Sequence, residues 1–209
     1  MGYGIGDWEH SGEEWQVDKV RSMLIEKNPG VILNSRLRGK GDYETPQQVI
    51  DIFADCISKG GNLLLDIGPK ADGTITGEQE HILKELGTWT DKHKEAIYGT
   101  ERGIPYDHYY GPTSLSQDST ILYLFVKGNA NGQVTLKGIS NKINRIWVVG
   151  NGTKLNHQVM SKVFWNKYPG LAYIDLPEHL LDQYCTVLAV LLDGQVDLYR
   201  EASGAIESN

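Results

Sequence analysis

The sequence predicts two regions of different fold class, an α/β region at residues 1–102 and an all-β region at residues 103–209. In the first region, apolar residues at helical spacing alternate with short apolar runs, which is the order of elements in parallel α/β folds. In the second region, the helical spacing ends and six short apolar runs recur between turn sequences, a pattern typical of an antiparallel β-sandwich. We therefore predict one domain for each region.

The first predicted helix begins near Ser11, which can cap it together with Glu14 three positions later. Asn28-Pro29 ends this helix, and the segment "GVILNS" at 30–35 follows as the first strand. The residues expected to form the apolar face of the helix are Trp15, Val20, Met23 and Leu24.

The second predicted helix begins at Thr45-Pro46, where Gln48 completes a capping box, and ends at "KGG", residues 59–61. The apolar run at 63–67 follows as a strand, and its continuous apolar character is typical of an inner strand of a parallel sheet, buried on both faces. A third helix is predicted from Glu78 to His93. The side chains expected to face the core are Val49, Ile50, Phe53 and Ile57 in the second helix, and Ile82, Leu83, Leu86 and Trp89 in the third.

The second region contains six predicted strands: "TILYLFV", "GQVTLKG", "INRIWVVG", "AYIDL", "TVLAVLL" and "QVDLY". Turn sequences such as "NANG" at 129–132 and Asp193-Gly194 separate them. Three tyrosines in the connection between the regions could stack on a sugar or pack between the regions, and we expect packing. These are Tyr106, Tyr109 and Tyr110.

Composition excludes two classes of partner. The formal net charge of −7 argues against nucleic acid, because an acidic surface repels the phosphate backbone. No apolar run approaches the ~20 residues that cross a bilayer, so we expect no membrane partner. The first 15 residues lack the basic and apolar parts of a signal peptide, so we expect a soluble chain whose compartment stays open.

Cysteine and histidine positions indicate neither a disulfide framework nor a metal site. Cys56 and Cys185 are too few for such a framework and too far apart for a metal knuckle, so we expect two buried thiols. The six histidines show no ligand spacing on a shared helix face, which argues against a metal enzyme. Asn151-Gly152-Thr153 has the pattern of an N-glycosylation sequon, which matters only in a cell that glycosylates secreted proteins.

Five segments, read together and in order, resemble the α-L-fucosidases of glycoside hydrolase family 29. The fourth segment, with two glycines, three leucines and an Ile-Gly-Pro, is highly characteristic of that family. The resemblance covers about residues 4–105, and the remainder looks like the C-terminal β domain of the family. The segments are "DWEHSGEEW" at 7–15, "NPGVILNSR" at 28–36, "GDYETP" at 41–46, "SKGGNLLLDIGPKADGTI" at 58–75 and "EAIYGT" at 95–100.

The resemblance implies a retaining exo-hydrolase that releases terminal L-fucose from fucosylated oligosaccharides or glycosides, with no metal or organic cofactor. It also implies a (β/α)₈-type barrel for the first region. A complete barrel takes about 250 residues, so about 100 residues supply roughly three of its eight units, and we predict an incomplete barrel segment. Exposed edges and apolar helix faces need cover from the chain's own sandwich, a second copy or a further N-terminal portion, and we expect a homo-oligomer.

Retaining glycoside hydrolysis needs two carboxyl groups about 5 to 5.5 Å apart, one as nucleophile and one as acid/base. The nucleophilic aspartate of the family aligns with Ile5, and the glutamate of its Thr-Pro-Glu motif aligns with Gln47. A later segment that carries the acid/base in other branches of the family is skipped in this chain. The usual carboxylates are thus missing or displaced, and we expect Asp7, Glu9 or Glu44 as weak substitutes.

Sugar recognition is the part of the family's site that this chain retains. Arg36, two positions after Asn34, matches the family's Asn-Asp-Arg segment at the end of a strand, where the arginine looks like a substrate-binding residue. Ser35 replaces the aspartate of that segment. Trp8 and His10 match family positions beside the nucleophile, where they could contact the sugar ring. The alternatives are a surface salt bridge for Arg36 and simple packing for Trp8 and His10.

These matches leave two functional hypotheses. The first is an α-L-fucosidase-type retaining hydrolase in truncated form, active through substitute carboxylates or through assembly of several chains. The second is a noncatalytic fucosidase-derived fragment, or a protein that binds fucose or glycans. In both hypotheses, Asp66 and Asp72 are expected to serve structure, although the family more often has asparagine at the position of Asp66.

Overall fold

The computed structural model of the protein describes residues 32–36, 44–160, 165 and 168–199. The first predicted helix lies outside the described residues. The same is true of four predicted site residues: Asp7, Trp8, Glu9 and His10.

The described residues contain two α-helices, α1 (Pro46–Ser58) and α2 (Gly77–His93), and eleven strands. Neither of these helices is long and apolar enough to span a membrane. The strands are β1 (Ile32–Arg36), β2 (Asn62–Asp66), β3 (Thr100–Arg102), β4 (Thr113–Ser116), β5 (Ile121–Lys127), β6 (Gln133–Lys137), β7 (Ile143–Val148), β8 (Lys154–Leu155), β9 (His157–Met160), β10 (Leu171–Asp175) and β11 (Cys185–Leu192).

The first region has the predicted order of strand, helix, strand and helix. β1 and β2 pair in parallel, in register from Ile32 with Asn62 to Arg36 with Asp66. Parallel neighbours require a crossover connection, and α1 lies in that connection. This segment and the sandwich described below confirm the predicted fold class, a partial barrel-type α/β segment followed by antiparallel sheets.

α1 begins at the predicted capping box. The Thr45 hydroxyl accepts a hydrogen bond from the backbone N of Gln48 (3.2 Å), and the backbone N of Thr45 donates to Gln48 Oε1 (2.8 Å). The helix ends before Gly60, whose φ of +73° is costly for other residues. Of the predicted core-facing helix residues, Val49, Ile50, Ile57, Ile82 and Trp89 are buried, and Phe53, Leu83 and Leu86 are half-buried.

Thr45→Ala is expected to lower the free energy of unfolding by about 1 kcal/mol, because the backbone N–H of Gln48 loses its acceptor. For a chain of this length, the melting temperature should fall by about 2 to 4 °C. Thr45→Ser keeps the hydroxyl and should remain within about 0.5 kcal/mol of the wild type. Urea unfolding measures the difference, and equal stability of Thr45→Ala and the wild type would contradict the capping role.

The second region forms the predicted antiparallel sandwich. One sheet has six strands in the order β3-β4-β5-β11-β7-β8, and the other has three in the order β6-β10-β9. Apolar side chains of both sheets meet in one core between them. The largest fully buried residues of this core are Leu122, Leu124, Leu136, Ile146, Ile174, Leu176 and Leu188.

The strands of the sandwich differ from the prediction in two ways. β3, β4, β8 and β9 are short strands outside the six predicted runs. The predicted strand "QVDLY" is wrong, since the segment forms one isolated bridge and no strand. Its backbone bonds to two different loops: Val196 N donates to Ser119 O (2.8 Å), and Tyr199 N donates to Gly138 O (2.8 Å). The boundary after residue 102 stays a prediction, and β3, which ends there, lies at the edge of the six-stranded sheet.

The two helices pack on the outer face of the six-stranded sheet. Side chains alternate between faces along a strand, so in β5 Leu124 lies in the sandwich core while Tyr123 and Phe125 contact the helices. The chain's own sandwich thus covers the apolar helix faces. We call this contact the helix–sheet joint, and its buried members are Ile50, Ala54, Ile57, Trp89, Ala96, Ile97, Tyr123, Phe125, Val149, Cys185, Val187 and Ala189.

His93 is a buried titratable group beside this joint. It is fully buried, its Nδ1 lies 2.8 Å from the Trp89 carbonyl oxygen, and its ring centroid lies 4.8 Å from that of Trp89. Burial lowers the pKa of His93 below its ordinary value of 6.5, and the hydrogen bond to the Trp89 carbonyl opposes this shift. The folded protein therefore favours neutral His93.

The free energy of unfolding is expected to fall as the pH is lowered from 7 to 5. Below pH 6.5 the unfolded chain binds a proton at His93 that the folded chain does not bind, so acid favours unfolding. His93→Gln should show a shallower fall over this range. His179→Gln, at an exposed position outside α2, is the control for loss of a histidine, and His93→Gln should show the shallower fall of the two. Identical slopes for wild type and His93→Gln in urea unfolding would contradict this role of His93.

The sequence predicts burial of the apolar run at 63–67, most of which lies in β2, on both faces, and this is wrong. Leu64 is 53% exposed and Ile67 is 36% exposed. Leu65 packs against Val49 and Ile82 of the helices, so the helices cover one face of the strand. Leu64 points to the opposite face, because successive side chains of a strand alternate between faces, and that face is not covered in the way an inner barrel strand requires.

The three connecting tyrosines do not form a cluster. Tyr109 is buried in the sandwich core, where its hydroxyl donates to the Phe125 carbonyl oxygen (3.1 Å). Tyr110 is 99% exposed, so the expected packing between the regions is wrong for this residue. Tyr106 is 49% exposed and lies beside Asp55 of α1.

The homo-oligomer stays a prediction. Leu64 of β2 and Ile67, which follows β2, are apolar and exposed, and such surface favours association. We expect light scattering at micromolar concentration to give at least twice the mass of one chain, and Leu64→Lys to reduce it. Val159→Lys, on a similarly exposed residue of β9, should leave the mass unchanged. A stable wild-type monomer at this concentration would contradict the prediction.

Candidate functional site

The carboxyl ends of β1 and β2 place two polar residues of the sequence next to each other. Arg36 and Asp66 are register partners at the last position of the parallel pair. In α/β folds, binding sites lie at the carboxyl ends of the strands, where loops and side chains from neighbouring strands meet. We call Arg36, Asp66 and the following loop at 67–76 the carboxyl edge.

The loop of the carboxyl edge is built around Asp72. Its Oδ1 accepts hydrogen bonds from the backbone N (3.0 Å) and the hydroxyl (2.7 Å) of Thr74. Lys70 N donates to the Thr74 carbonyl oxygen (2.7 Å), and Gly73 supplies the positive φ of +82° at the turn. The Thr74 hydrogen bonds hold the pKa of Asp72 below its ordinary value. Asp72 therefore has the structural role that the sequence predicts.

Gln79 packs against the start of this loop and was not among the predicted site residues. It is fully buried in the first turn of α2, where its backbone N donates to the Thr76 hydroxyl that caps the helix (3.3 Å). A side chain at Gly68 would begin 3.7 Å from Gln79 Nε2, so the amide lies against the start of the loop. The only signal in the sequence is a polar residue on the buried face of α2.

Gln47 and Glu44 lie at the start of α1. Gln47, which the resemblance aligns with the family's glutamate, donates from its Nε2 to the Tyr184 carbonyl oxygen (3.2 Å) in the sandwich. Tyr184 in turn donates from its hydroxyl to Glu85 Oε2 of α2 (3.0 Å). A neutral amide does not serve as a general acid, so Gln47 holds the two regions together instead. Glu44 is half-buried and directly precedes the cap residue Thr45.

Of the predicted site residues, the structure brings Arg36 together with Asp66 and places Asn34 two residues earlier on β1. Glu44 is described, but no contact joins it to the carboxyl edge among the described hydrogen bonds and ion pairs. The remaining predicted residues lie outside the described part of the chain. The backbone register thus places Arg36 beside Asp66, while the sugar contacts and the carboxylates stay predictions.

The two cysteines, Cys56 and Cys185, are buried free thiols. Burial raises the pKa of the Cys56 thiol to about 11 and raises that of Cys185 further, so neither is a nucleophile at neutral pH. Among the described residues, no group of three or more His, Cys, Asp and Glu side chains could hold a metal ion.

A cleft of about 440 Å³ lies away from the carboxyl edge, between the end of α2 and the β7–β8 turn. Trp147 lines it and donates from Nε1 to Glu95 Oε1 (3.3 Å), while the Arg145 guanidinium lies 5.2 Å from the centroid of its ring. Because the Trp147 N–H and one ring face are already engaged, this tryptophan is a poor platform for a sugar.

Comparison with known proteins points to one family. Residues 36–95 match the model of the family described as Alpha-L-fucosidase. Plasma α-L-fucosidase of Homo sapiens is 32% identical over 128 residues, which cover 58% of this chain and 27% of that protein. Tissue α-L-fucosidase of Homo sapiens is 28% identical over 145 residues, which cover 66% of this chain and 28% of that protein. The chain therefore spans about a quarter of the length of these relatives.

Solved structures share the fold. An α-L-fucosidase isoenzyme 1 from Paenibacillus thiaminolyticus superposes with a TM-score of 0.67 at 24% identity, covering 78% of this chain and 40% of that chain. A Thermotoga maritima α-fucosidase in complex with fucose gives 0.61 at 23% identity, covering 78% and 40%. At this identity the likeness establishes the fold alone.

Proposed function

We propose that this chain binds a terminal L-fucose of fucosylated glycans at the carboxyl edge and hydrolyses the α-L-fucosidic bond with retention. The reason is its relation to the α-L-fucosidases of glycoside hydrolase family 29. The observation that carries the proposal is the register pairing of Arg36 with Asp66 at the carboxyl ends of two parallel strands. Both residues lie within the segment that matches the family model.

In this proposal, sugar recognition rests on polar side chains of the carboxyl edge. It includes Asp66, for which the sequence predicts a structural role, because Asp66 is the register partner of Arg36. The guanidinium of Arg36 offers five N–H donors, enough to engage two neighbouring hydroxyl oxygens of a fucose ring. A carboxylate at position 66 accepts hydrogen bonds from sugar hydroxyls, as the asparagine amide oxygen common in the family could. Asn34, Trp8 and His10 are the further predicted contacts with the sugar.

Hydrolysis with retention requires a nucleophilic carboxylate and an acid/base about 5 to 5.5 Å apart. We assign these roles to the set Asp7, Glu9 and Glu44, contributed by one chain or by two copies in a homo-oligomer. The nucleophile forms a glycosyl ester as the leaving oxygen takes a proton from the acid, and water then hydrolyses that ester with the second carboxylate as base.

A second function, binding of fucose or fucosylated glycans without turnover, is favoured by one observation. The Gln47 side chain at the family's glutamate position is hydrogen-bonded to Tyr184 and is held in the contact between the regions. A site that lacks a proton donor at this position keeps its sugar contacts but loses protonation of the leaving group.

Release of 4-nitrophenol from 4-nitrophenyl α-L-fucoside tests the hydrolase. The purified full chain should release it above buffer, and should not act on the β-L-fucoside, the matched control for the anomeric bond. Saturable L-fucose binding in calorimetry without turnover would support the second function. Absence of both turnover and binding would overturn both proposals.

A further inference from the structure

We propose that Asn151 is an N-glycosylation site, at which a glycosylating secretory pathway attaches an oligosaccharide. Asn151-Gly152-Thr153 fulfils the acceptor pattern, and no other asparagine in the sequence has serine or threonine two positions later. The three residues lie in the turn between β7 and β8, which spans residues 149–153, and all three are exposed. The pattern therefore lies at a surface position that a transferase can reach.

Backbone hydrogen bonds within the turn fix its conformation and leave the Asn151 side chain at the surface. Gly152 N donates to the Val148 carbonyl oxygen, and Val148 N donates to the Thr153 carbonyl oxygen, both at 2.9 Å. Thr153 N donates to Asn151 Oδ1 (2.9 Å), which fixes the carboxamide through its oxygen. The Asn151 Nδ2, the atom that receives the sugar, makes no hydrogen bond to the described residues. No atom lies within 4 Å of a Cβ built at Gly152, so the surface beside the acceptor is open.

The position in the fold keeps a glycan away from the carboxyl edge. A side chain at Gly150 would begin 2.5 Å from Lys92 Cγ, so the turn touches the last part of α2. α2 begins after the loop of the carboxyl edge and has 17 residues. At about 1.5 Å per residue the helix is about 25 Å long, which separates Asn151 from the carboxyl edge by most of that length.

The transfer uses an oligosaccharide linked to a lipid pyrophosphate as donor. Asn151 Nδ2 forms a bond to C1 of the first sugar, and the bond between C1 and the phosphate oxygen breaks. The lipid pyrophosphate leaves with the electron pair, and the amide nitrogen loses one proton. The product keeps a neutral amide and adds a bulky, solvated group to the surface.

Import into microsomes tests the proposal. The full chain, preceded by a cleavable secretion signal, is translated with microsomes, and only the protease-protected imported fraction is analysed. We expect a loss of mass on treatment with peptide N-glycosidase F, and in ¹⁸O water the conversion of Asn151 to labelled aspartate. Asn151→Gln and Thr153→Ala should abolish the glycan, whereas Asn156→Gln, an exposed neighbour outside the pattern, should retain it.

The site-specific label is read on the wild-type chain, so the result does not depend on how any variant folds. Imported chain without sugar at Asn151 would overturn the proposal. A glycan that persists in both Asn151→Gln and Thr153→Ala would overturn it as well.

Discussion

Trp89→Ala is expected to lower the free energy of unfolding by about 3 to 5 kcal/mol. Trp89 is 3% exposed, and its ring centroid lies 6.3 Å from that of Phe125. Its Nε1 donates to the Cys185 carbonyl oxygen (2.8 Å). The substitution removes the largest apolar group of the helix–sheet joint and one of its hydrogen bonds. At about 2 to 4 °C per kcal/mol, the melting temperature should fall by about 6 to 20 °C.

Two further variants separate the causes of this loss. Trp89→Phe keeps most of the apolar volume but loses the N–H donor, so its stability should lie between wild type and Trp89→Ala. Tyr110→Ala, at a side chain that is 99% exposed, should remain within about 0.5 kcal/mol of wild type. A Trp89→Ala chain that unfolds in urea at the wild-type midpoint would contradict the role of the joint.

Arg36→Ala is expected to reduce affinity for L-fucose by about tenfold to a hundredfold. A hydrogen bond from a charged donor contributes about 1.5 to 3 kcal/mol, and about 1.4 kcal/mol corresponds to a factor of ten. Arg36→Lys keeps the charge but not the planar fork, so it should restore only part of the affinity. Calorimetric titration with L-fucose measures all three chains.

Arg102→Ala is the matched control for this experiment, because Arg102 is an exposed arginine of β3 in the sandwich. It should bind L-fucose with wild-type affinity. Unchanged affinity of Arg36→Ala would show that Arg36 does not contact the sugar and is better explained as a surface residue.

The local elements of the first region could be predicted because short sequence signals determine them. Thr45 and Gln48 form their capping box from four neighbouring residues, and Gly60 ends α1 through its own backbone conformation. β5 and β11 were predicted as strands because each is a short apolar run between turn sequences, and both are buried along most of their length in the six-stranded sheet. Each of these features depends on residues close together in sequence.

The burial of β2 could not be predicted from its composition. Its apolar run has the character of an inner barrel strand, and burial on both faces depends on what packs against each face of the sheet. The helices cover the face that carries Leu65, whereas Leu64 on the opposite face is exposed. Short strands such as β8 and β9 were also not predicted, because pairing with neighbouring strands, and not their own sequences, determines that they form.

The candidate site was predictable in part. The order of strand and helix places Arg36 and Asp66 at the same edge, since parallel strands end on the same side of a sheet. Gln79 beneath the loop and the bond from Gln47 to Tyr184 join residues far apart in sequence. No pattern along the chain encodes these two contacts, so only the folded structure reveals them.

Amide chemical shifts recorded during a titration with L-fucose test most directly that the carboxyl edge is the sugar site. We predict saturable shifts that are largest at residues 34–36 and 64–70, with the β7–β8 turn unaffected. Shifts centred on Glu95 and Trp147, or no saturable shifts at any concentration, would contradict the assignment.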